Sequence, residues 1–403
     1  MKKLINFFAF ILIVLLVIFI AIPTKTVNRN SAVYVEHEWD TLESVILGSP
    51  KMLSVPQIHD SILGYGYIVD NEKTMKKDMG KPIQQVNPYG YSVILEESNG
   101  LSTLLKEKEV SVTRLNPEVL DLAELQYLKF VQQGHNFMFP KDAVIVIGNT
   151  VIECAQRVPM RDKERFVVRR IFKPLLKADP SIRYIAVPIP SPSFPEKSFY
   201  LEGSDVLVDG KNVYVGFSGR GTSSSGIMWL QSALGPNYKV YTINFKDFVH
   251  LNSVLTLVRP NLGIKVSSSI TSDLPNPLKN WEFIEVSAED AKKYASSILV
   301  IGPNKVLVDE RFETLISELR SRNVDVTSVP FEEISKFGGG LGSFYSPIRR
   351  AYNAEINSEK IDAEYFKKHG LEILDNIKSF DYAKFFEDAK NIIMEKVNSL
   401  TNR

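Results

Sequence analysis

The sequence predicts a mixed α/β fold built from repeated units around a centre. Short runs rich in Val, Ile and Leu alternate with amphipathic helical stretches along the chain. Several runs are paired across Gly/Asn turns, which makes the neighbours antiparallel. The order strand, turn, strand, helix, strand recurs around residues 142–187, 205–245 and 297–329, a spacing of roughly 60–90 residues. Antiparallel hairpins fit a doubly wound parallel sheet poorly, and radial repeats well.

The elements follow in order. Lys2 and Lys3 precede Phe7–Ile22, an apolar run without charge. It is long enough to span a thin bilayer and lacks a small-residue cleavage pair near Ala21. Residues 1–23 are therefore read as a transmembrane anchor or signal segment, the uncleaved anchor preferred, with the globular part outside the cytoplasm. Polar residues 24–32 form a tether. Ser44–Leu47 is the first strand. Asp142–Ile147 and Val151–Ala155 pair across Gly148-Asn149, followed by a basic helix over Arg161–Leu176 and a strand at Tyr184–Val187. Asp205–Val208 and Asn212–Gly216 flank Asp209-Gly210, a strong hairpin signal. A helix over Gly226–Leu234 and strands at Val240–Asn244, Val254–Val258 and Gly263–Val266 come next. Ser297–Ile301 and Lys305–Val308 flank Gly302-Pro303-Asn304, and a helix over Glu310–Arg322 leads to Val324–Val329. Beyond 350, Tyr382, Phe385, Phe386, Ala389, Ile392, Ile393 and Val397 recur at helical spacing. The domains read as 1–23, 33–350 and a helical extension over 351–403.

Composition narrows the function. The 403 residues carry 48 Lys+Arg against 47 Asp+Glu, a net charge of +1, which argues against a nucleic-acid partner. One cysteine, Cys154, excludes an internal disulfide framework and zinc sites built from several thiolates. It lies in a strand, where a free cysteine behaves as a small buried hydrophobe. The glycine loops Gly219–Gly226 and Gly338–Gly342 lack the Gly-Lys-Ser/Thr ending of a P-loop, so no nucleotide is expected. Arg157, Arg161, Arg165, Arg169 and Arg170 are interleaved with Asp162 and Glu164, the pattern of a solvated face. No metal or other cofactor is expected, and nothing in the residues fixes an oligomeric state.

The polar residues that stand out sit at strand entrances. Asp142 follows Pro140-Lys141, Glu202-Gly203-Ser204-Asp205 opens the next hairpin, and His250 precedes a third strand. Repeats arranged radially can bring such entrances to one central site. Converging carboxylates suit a guanidinium, which is planar and pairs bidentately.

These segments resemble the glycine/inosamine amidinotransferases of the pentein superfamily. Glu38–Gly48 resembles the E-W-D-x-L-E-x-V-x-x-G of that family, and Pro140-Lys141-Asp142 with Val144–Asn149 its P-R-D…V-x-G-N. Glu202–Asp205 resembles E-G-G-D, and Tyr238–Asp247 the stretch leading to a catalytic histidine. Gly338–Gly340, followed by Arg349-Arg350, resembles the turn that carries the nucleophile. The resemblance covers about residues 33–350 and implies a five-bladed α/β propeller with a central site. It implies an activity in which a cysteine attacks the guanidinium carbon of arginine and the amidino group passes to an amine. On these positions Asp142 holds the guanidinium, Glu202 partners the histidine and His250 moves protons, with Asp205 also at the pocket.

Two departures from the family bear on the chemistry. The His-x-Asp of the family is His250-Leu251-Asn252 here, which keeps a hydrogen-bonding group and loses its charge. The nucleophile position, three residues after the triple glycine, is Ser343. A serine hydroxyl has no thiolate-like ionised fraction and needs a dedicated base. Three readings stay open: an amidinotransferase, a pseudoenzyme that binds a guanidino compound or an arginine side chain, and a serine hydrolase of some activated substrate.

Overall fold

The computed structural model describes residues 28–51, 53–55, 76–114, 137–191 and 193–357. The expected anchor over 1–23 and the apolar stripe from Tyr382 to Val397 lie outside these residues. Among the described residues no helix is long and apolar enough to cross a membrane. The chain falls into two units, Met1–Asn353 and Ala354–Arg403, the second described only by a short helix at Ala354–Asn357.

Apolar runs of four to seven residues form five three-stranded sheets. One contains β1 (Thr41–Leu47), β2 (Ser111–Arg114) and β15 (Tyr345–Ala351). The next two contain β3 (Val144–Ile147), β4 (Thr150–Glu153) and β5 (Arg183–Ala186), then β6 (Val206–Asp209), β7 (Asn212–Phe217) and β8 (Lys239–Asn244). The last two contain β9 (Leu255–Arg259), β10 (Leu262–Lys265) and β11 (Glu282–Glu285), then β12 (Leu299–Gly302), β13 (Lys305–Asp309) and β14 (Asp325–Val329).

All five sheets share one plan. A first strand pairs antiparallel with a middle strand, and the middle strand pairs parallel with a third. The antiparallel pair needs only a tight turn, and the parallel step needs a crossover. Residues with positive φ make the turns: Gly148, Gly210, Asn261 and Asn304, all Gly or Asn. First and middle strands such as β3 and β4 are buried throughout, while third strands such as β5 and β11 are partly exposed. Three of these units are the repeats legible in the sequence. A fourth, β9-β10-β11, and a fifth joined from both ends of the domain complete the set.

Crossover helices cover the sheets. α1 (Pro88–Glu107) starts with Pro88 at its first turn and with Asn87 accepting from the Gly90 amide. Its Ile94, Leu101 and Leu105 pack with Val45 and Leu47. The expected basic helix is two pieces, α2 (Pro159–Asp162) and α3 (Glu164–Ala178), which meet at Lys163. Its solvated face is corrected as well: Arg161 and Arg165 are buried, because each has a buried carboxylate to pair with. The Arg165 guanidinium meets Glu153, and Val167, Val168 and Phe172 pack on β3 and β4. α4 (Ser224–Leu234) is capped by Ser223 and buries Ile227, Leu230 and Leu234 against β6 and β7.

The fifth sheet closes the ring. Thr41–Leu47 pairs with Tyr345–Ala351 on one side and with Ser111–Arg114 on the other. Arg350, fully buried in β15, donates to the Asp40 carbonyl at 2.6 Å, the Val300 carbonyl at 2.8 Å and the Tyr345 hydroxyl at 3.2 Å. It thus joins the closing sheet to its neighbour. Replacing it leaves buried acceptors without donors, at about 1–3 kcal/mol each. Arg350→Met is expected to lower unfolding stability by about 3 kcal/mol or more in denaturant titration. A loss below about 1 kcal/mol would show that this arginine is not a closing element.

Candidate active site

The polar residues that the sequence singles out all come from one structural position, the turn that leads into the first strand of a sheet. Pro140–Ala143 forms a helical turn before β3 and carries Asp142. Gly203–Asp205 forms a 3-10 turn before β6, with Glu202 just ahead of it. His250 precedes the 3-10 turn Leu251–Ser253 before β9, which carries Asn252. Ser343 lies in the turn before β15, its amide bonded to the Gly340 carbonyl. Backbone packing sets how close the turns come. A Cβ on Gly203 would stand 2.0 Å from the Lys141 carbonyl oxygen, and one on Gly340 2.6 Å from Ser297 Cβ. Glycine at both places lets neighbouring turns touch.

The side chains then form one buried network. His250 Nε2 lies 2.5 Å from Glu202 Oε2 and 3.9 Å from Asp142 Oδ1. The other Glu202 oxygen accepts from the Arg157 amide at 2.7 Å. Asp142 Oδ2 accepts from Arg161 Nη1 at 2.7 Å, and Arg161 is clamped by both oxygens of Glu164 at 2.9 Å. Ser343 Oγ accepts from Asn252 Nδ2 at 2.7 Å and from the Ser204 hydroxyl at 3.2 Å. Asp142 Oδ1 and Asn252 Oδ1 are buried with no hydrogen-bond partner.

Five of the six site residues expected from the sequence therefore share this network: Asp142, Glu202, His250, Asn252 and Ser343. Asp205 has a different task. Its Oδ1 accepts from the Leu251 amide at 2.9 Å and its Oδ2 from the Thr222 amide at 3.0 Å. Both oxygens hold loops, so Asp205 positions the His250 turn. Cys154 is buried, and burial pushes its thiol well above the ordinary range, so it stays an inert thiol. Phe344 and Tyr345 are core residues, Phe344 packing edge-on against Phe331.

Sequence reasoning missed Ser204, Arg161 and Glu164 as site residues. Ser204 was visible as the one non-matching letter in Glu202-Gly203-Ser204-Asp205. Arg161 and Glu164 form an i,i+3 opposite-charge pair, which also occurs on solvated helices and so does not reveal burial.

Electrostatics follows from burial and pairing. Burial alone would raise Asp142, but the His250 charge and then Arg161 outweigh it and hold the carboxyl below its ordinary value. Burial alone would lower His250. Asp142 and then Glu202 overcome it and raise the imidazole to about 10. Burial pushes Glu164 to about 7 against the pull of Arg161, and Asp205 to about 6 against His250. Asp142, Glu202 and His250 present ligand atoms within 4.8 Å of one another, close enough for one metal ion. A metal there would have to displace the proton that His250 holds.

The held proton implies a pH dependence. The folded imidazole has a pKa of about 10 against 6.5 for the ordinary group. The folded state keeps a proton that the unfolded chain releases between these values, so stability falls as pH rises through that window. The His250 contribution is complete below pH 6.5 and lost by about 10. The melting temperature is expected to fall between about pH 7 and 9.5, with a shallower slope in His250→Gln. Equal slopes in the two proteins would mean that His250 is not the group holding the proton.

A family model described as arginine deiminase matches residues 70–275, just over half of the chain. The chain is 26% identical over 355 residues to inosamine-phosphate amidinotransferase 1 of Streptomyces glaucescens, covering 81% of this chain and 99% of that protein. An amidinotransferase of the saxitoxin biosynthetic pathway from Microseira wollei superposes with a TM-score of 0.67 at 21% identity, covering 80% of this chain and 98% of the other. A cysteine-to-serine mutant of dimethylarginine dimethylaminohydrolase from Pseudomonas aeruginosa, complexed with citrulline, superposes at 0.53 with 14% identity, covering 76% and 99%. Taken with the five sheets and the turn-borne Asp142, Glu202 and His250, these matches show that the chain belongs to the pentein superfamily, in its glycine/inosamine amidinotransferase family.

Proposed function

We propose that the chain binds a small arginine-like molecule at this centre without passing on its amidino group. The observation that carries the reading is the state of Ser343. Its Oγ takes hydrogen bonds from Asn252 and Ser204, and among the described residues no hydrogen bond joins it to His250. Amidino transfer would need the Ser343 oxygen to attack the guanidinium carbon while a base takes its proton. His250 is already protonated up to about 10 and bound to Glu202, so it cannot accept that proton near neutral pH. A guanidinium is in addition a delocalised, always charged and therefore weak electrophile. The citrulline complex of the cysteine-to-serine dimethylarginine dimethylaminohydrolase mutant supports the reading, since in that protein a serine variant and a ligand coexist.

A second reading, amidino transfer with an unusual nucleophile, is favoured by one observation: the Glu202–His250–Asp142 arrangement is intact. One experiment separates the two. The full chain and its Ser343→Cys variant are incubated with L-arginine plus glycine or hydroxylamine, and ornithine is followed by mass spectrometry. The binding reading expects no ornithine from the wild type above a protein-free control. Ornithine from the wild type that disappears in His250→Ala would overturn it.

We also propose that residues 1–23 anchor the protein in a membrane with the pentein domain outside the cytoplasm. The support is the apolar run Phe7–Ile22 behind Lys2 and Lys3. The full chain is expected to sediment with membranes after a carbonate wash, and a chain lacking residues 1–23 to remain in the supernatant. A full chain that stays in the supernatant would sink the anchor.

A further inference from the structure

Two residues touch a third where this chain departs from the family pattern. Ser343 stands at the cysteine position, Asn252 at the aspartate of His-x-Asp, and Ser204 at the second glycine of E-G-G-D. Asn252 Nδ2 and the Ser204 hydroxyl both donate to Ser343 Oγ, at 2.7 and 3.2 Å. All three are buried.

A serine hydroxyl has two acceptor positions and one proton to donate. Both acceptor positions of Ser343 are taken, so what it can offer a ligand is its O–H. Asn252 Oδ1, on the residue that donates to Ser343, and Asp142 Oδ1, 3.9 Å from His250 Nε2, are buried acceptors that make no hydrogen bond. The cluster therefore presents one donor and two acceptors. A guanidinium has five N–H donors and no acceptor, so it can satisfy the two acceptors and must leave the Ser343 proton unpaired. A ureido group has N–H donors and a carbonyl oxygen, and it can satisfy all three.

Charge points the same way. Asp142 already has two cationic neighbours, Arg161 at 2.7 Å and His250 at 3.9 Å, and Glu202 is engaged by His250. A guanidinium would bring a further cation to this set. The aspartate that would answer it in the family is the neutral Asn252 here.

From this geometry we infer that the site selects a neutral ureido head group over a guanidinium, with Ser204, Asn252 and Ser343 as the residues that set the preference. The inference rests on the binding function proposed above and names its ligand class. L-Citrulline, the ureido counterpart of arginine, is the probe. An unpaired buried donor is a penalty large enough to separate the two ligands by at least about tenfold.

The test is calorimetric titration of the full chain with L-citrulline and with L-arginine, repeated on Asn252→Asp and Ser204→Gly. The wild type is expected to bind citrulline at least about tenfold more tightly. Asn252→Asp restores an anion and is expected to reverse the order. Ser204→Gly frees an acceptor position on Ser343 and is expected to shrink the ratio, and it serves alone if the aspartate variant does not fold. Arginine binding as tightly as citrulline in the wild type, or a ratio unmoved in a folded variant, would overturn the ureido preference and leave the binding function standing. Binding of neither ligand would overturn both.

Discussion

The structure depends on the closure of a ring through pairing between its first and last strands. Thr41–Leu47 can sit between Ser111–Arg114 and Tyr345–Ala351 only when the chain has returned to its start. The other four sheets are each made from one stretch of sequence, whereas this one joins residues some 300 apart. Closure costs chain entropy that grows only slowly with loop length, and two ladders plus the buried Arg350 contacts offset it. The functional consequence is spatial. The turns that lead into first strands face a common centre only in a closed ring, so Ser343 meets Asn252 and Ser204 because β15 has joined β1.

At that centre, pairing decides which groups stay charged. His250 would be neutral in an apolar pocket, and two carboxylates keep it protonated instead. Asp142 in turn stays ionised because His250 and Arg161 face it from two sides. The arrangement is self-consistent: each ionised group keeps its neighbour charged, and the imidazole holds its proton. A cysteine at position 343 could supply a nucleophile by losing its own proton, since a few per cent is thiolate even unperturbed. A serine hydroxyl has no comparable ionised fraction, which is the physical basis of the binding function proposed above.

Much of this was legible in the sequence, for identifiable reasons. Hairpin turns are local chemistry, and Gly148, Gly210 and Asn304 all fall where the residues place them. The residues at strand entrances were visible because turns concentrate polar side chains between apolar runs. What stayed hidden depends on distant partners. The fifth sheet has no contiguous sequence signal. Arg161 and Arg165 read as a solvated face because Glu153 and Asp142, which bury them, lie on other elements. The positioning role of Asp205 stays hidden for the same reason, because the Leu251 and Thr222 amides that its oxygens bind lie far along the chain.

The departures from the family pattern are better understood together than singly. A serine left alone in a thiolate site would be a buried hydroxyl with unmet valences, at a cost of about 1–3 kcal/mol. Here the added Ser204 hydroxyl and the Asn252 amide fill both of its acceptor positions. An aspartate at 252 could not have donated to Ser343 while ionised, so the change to asparagine converts an acceptor-only group into a donor. The same change removes the anion that a guanidinium would need. One alteration thus settles the hydroxyl and weakens the case for a charged ligand at once. The three residues are thus coupled through one oxygen atom: what Ser343 can accept or donate depends on Asn252 and Ser204, and none of them can be exchanged without changing the hydrogen bonding of the others.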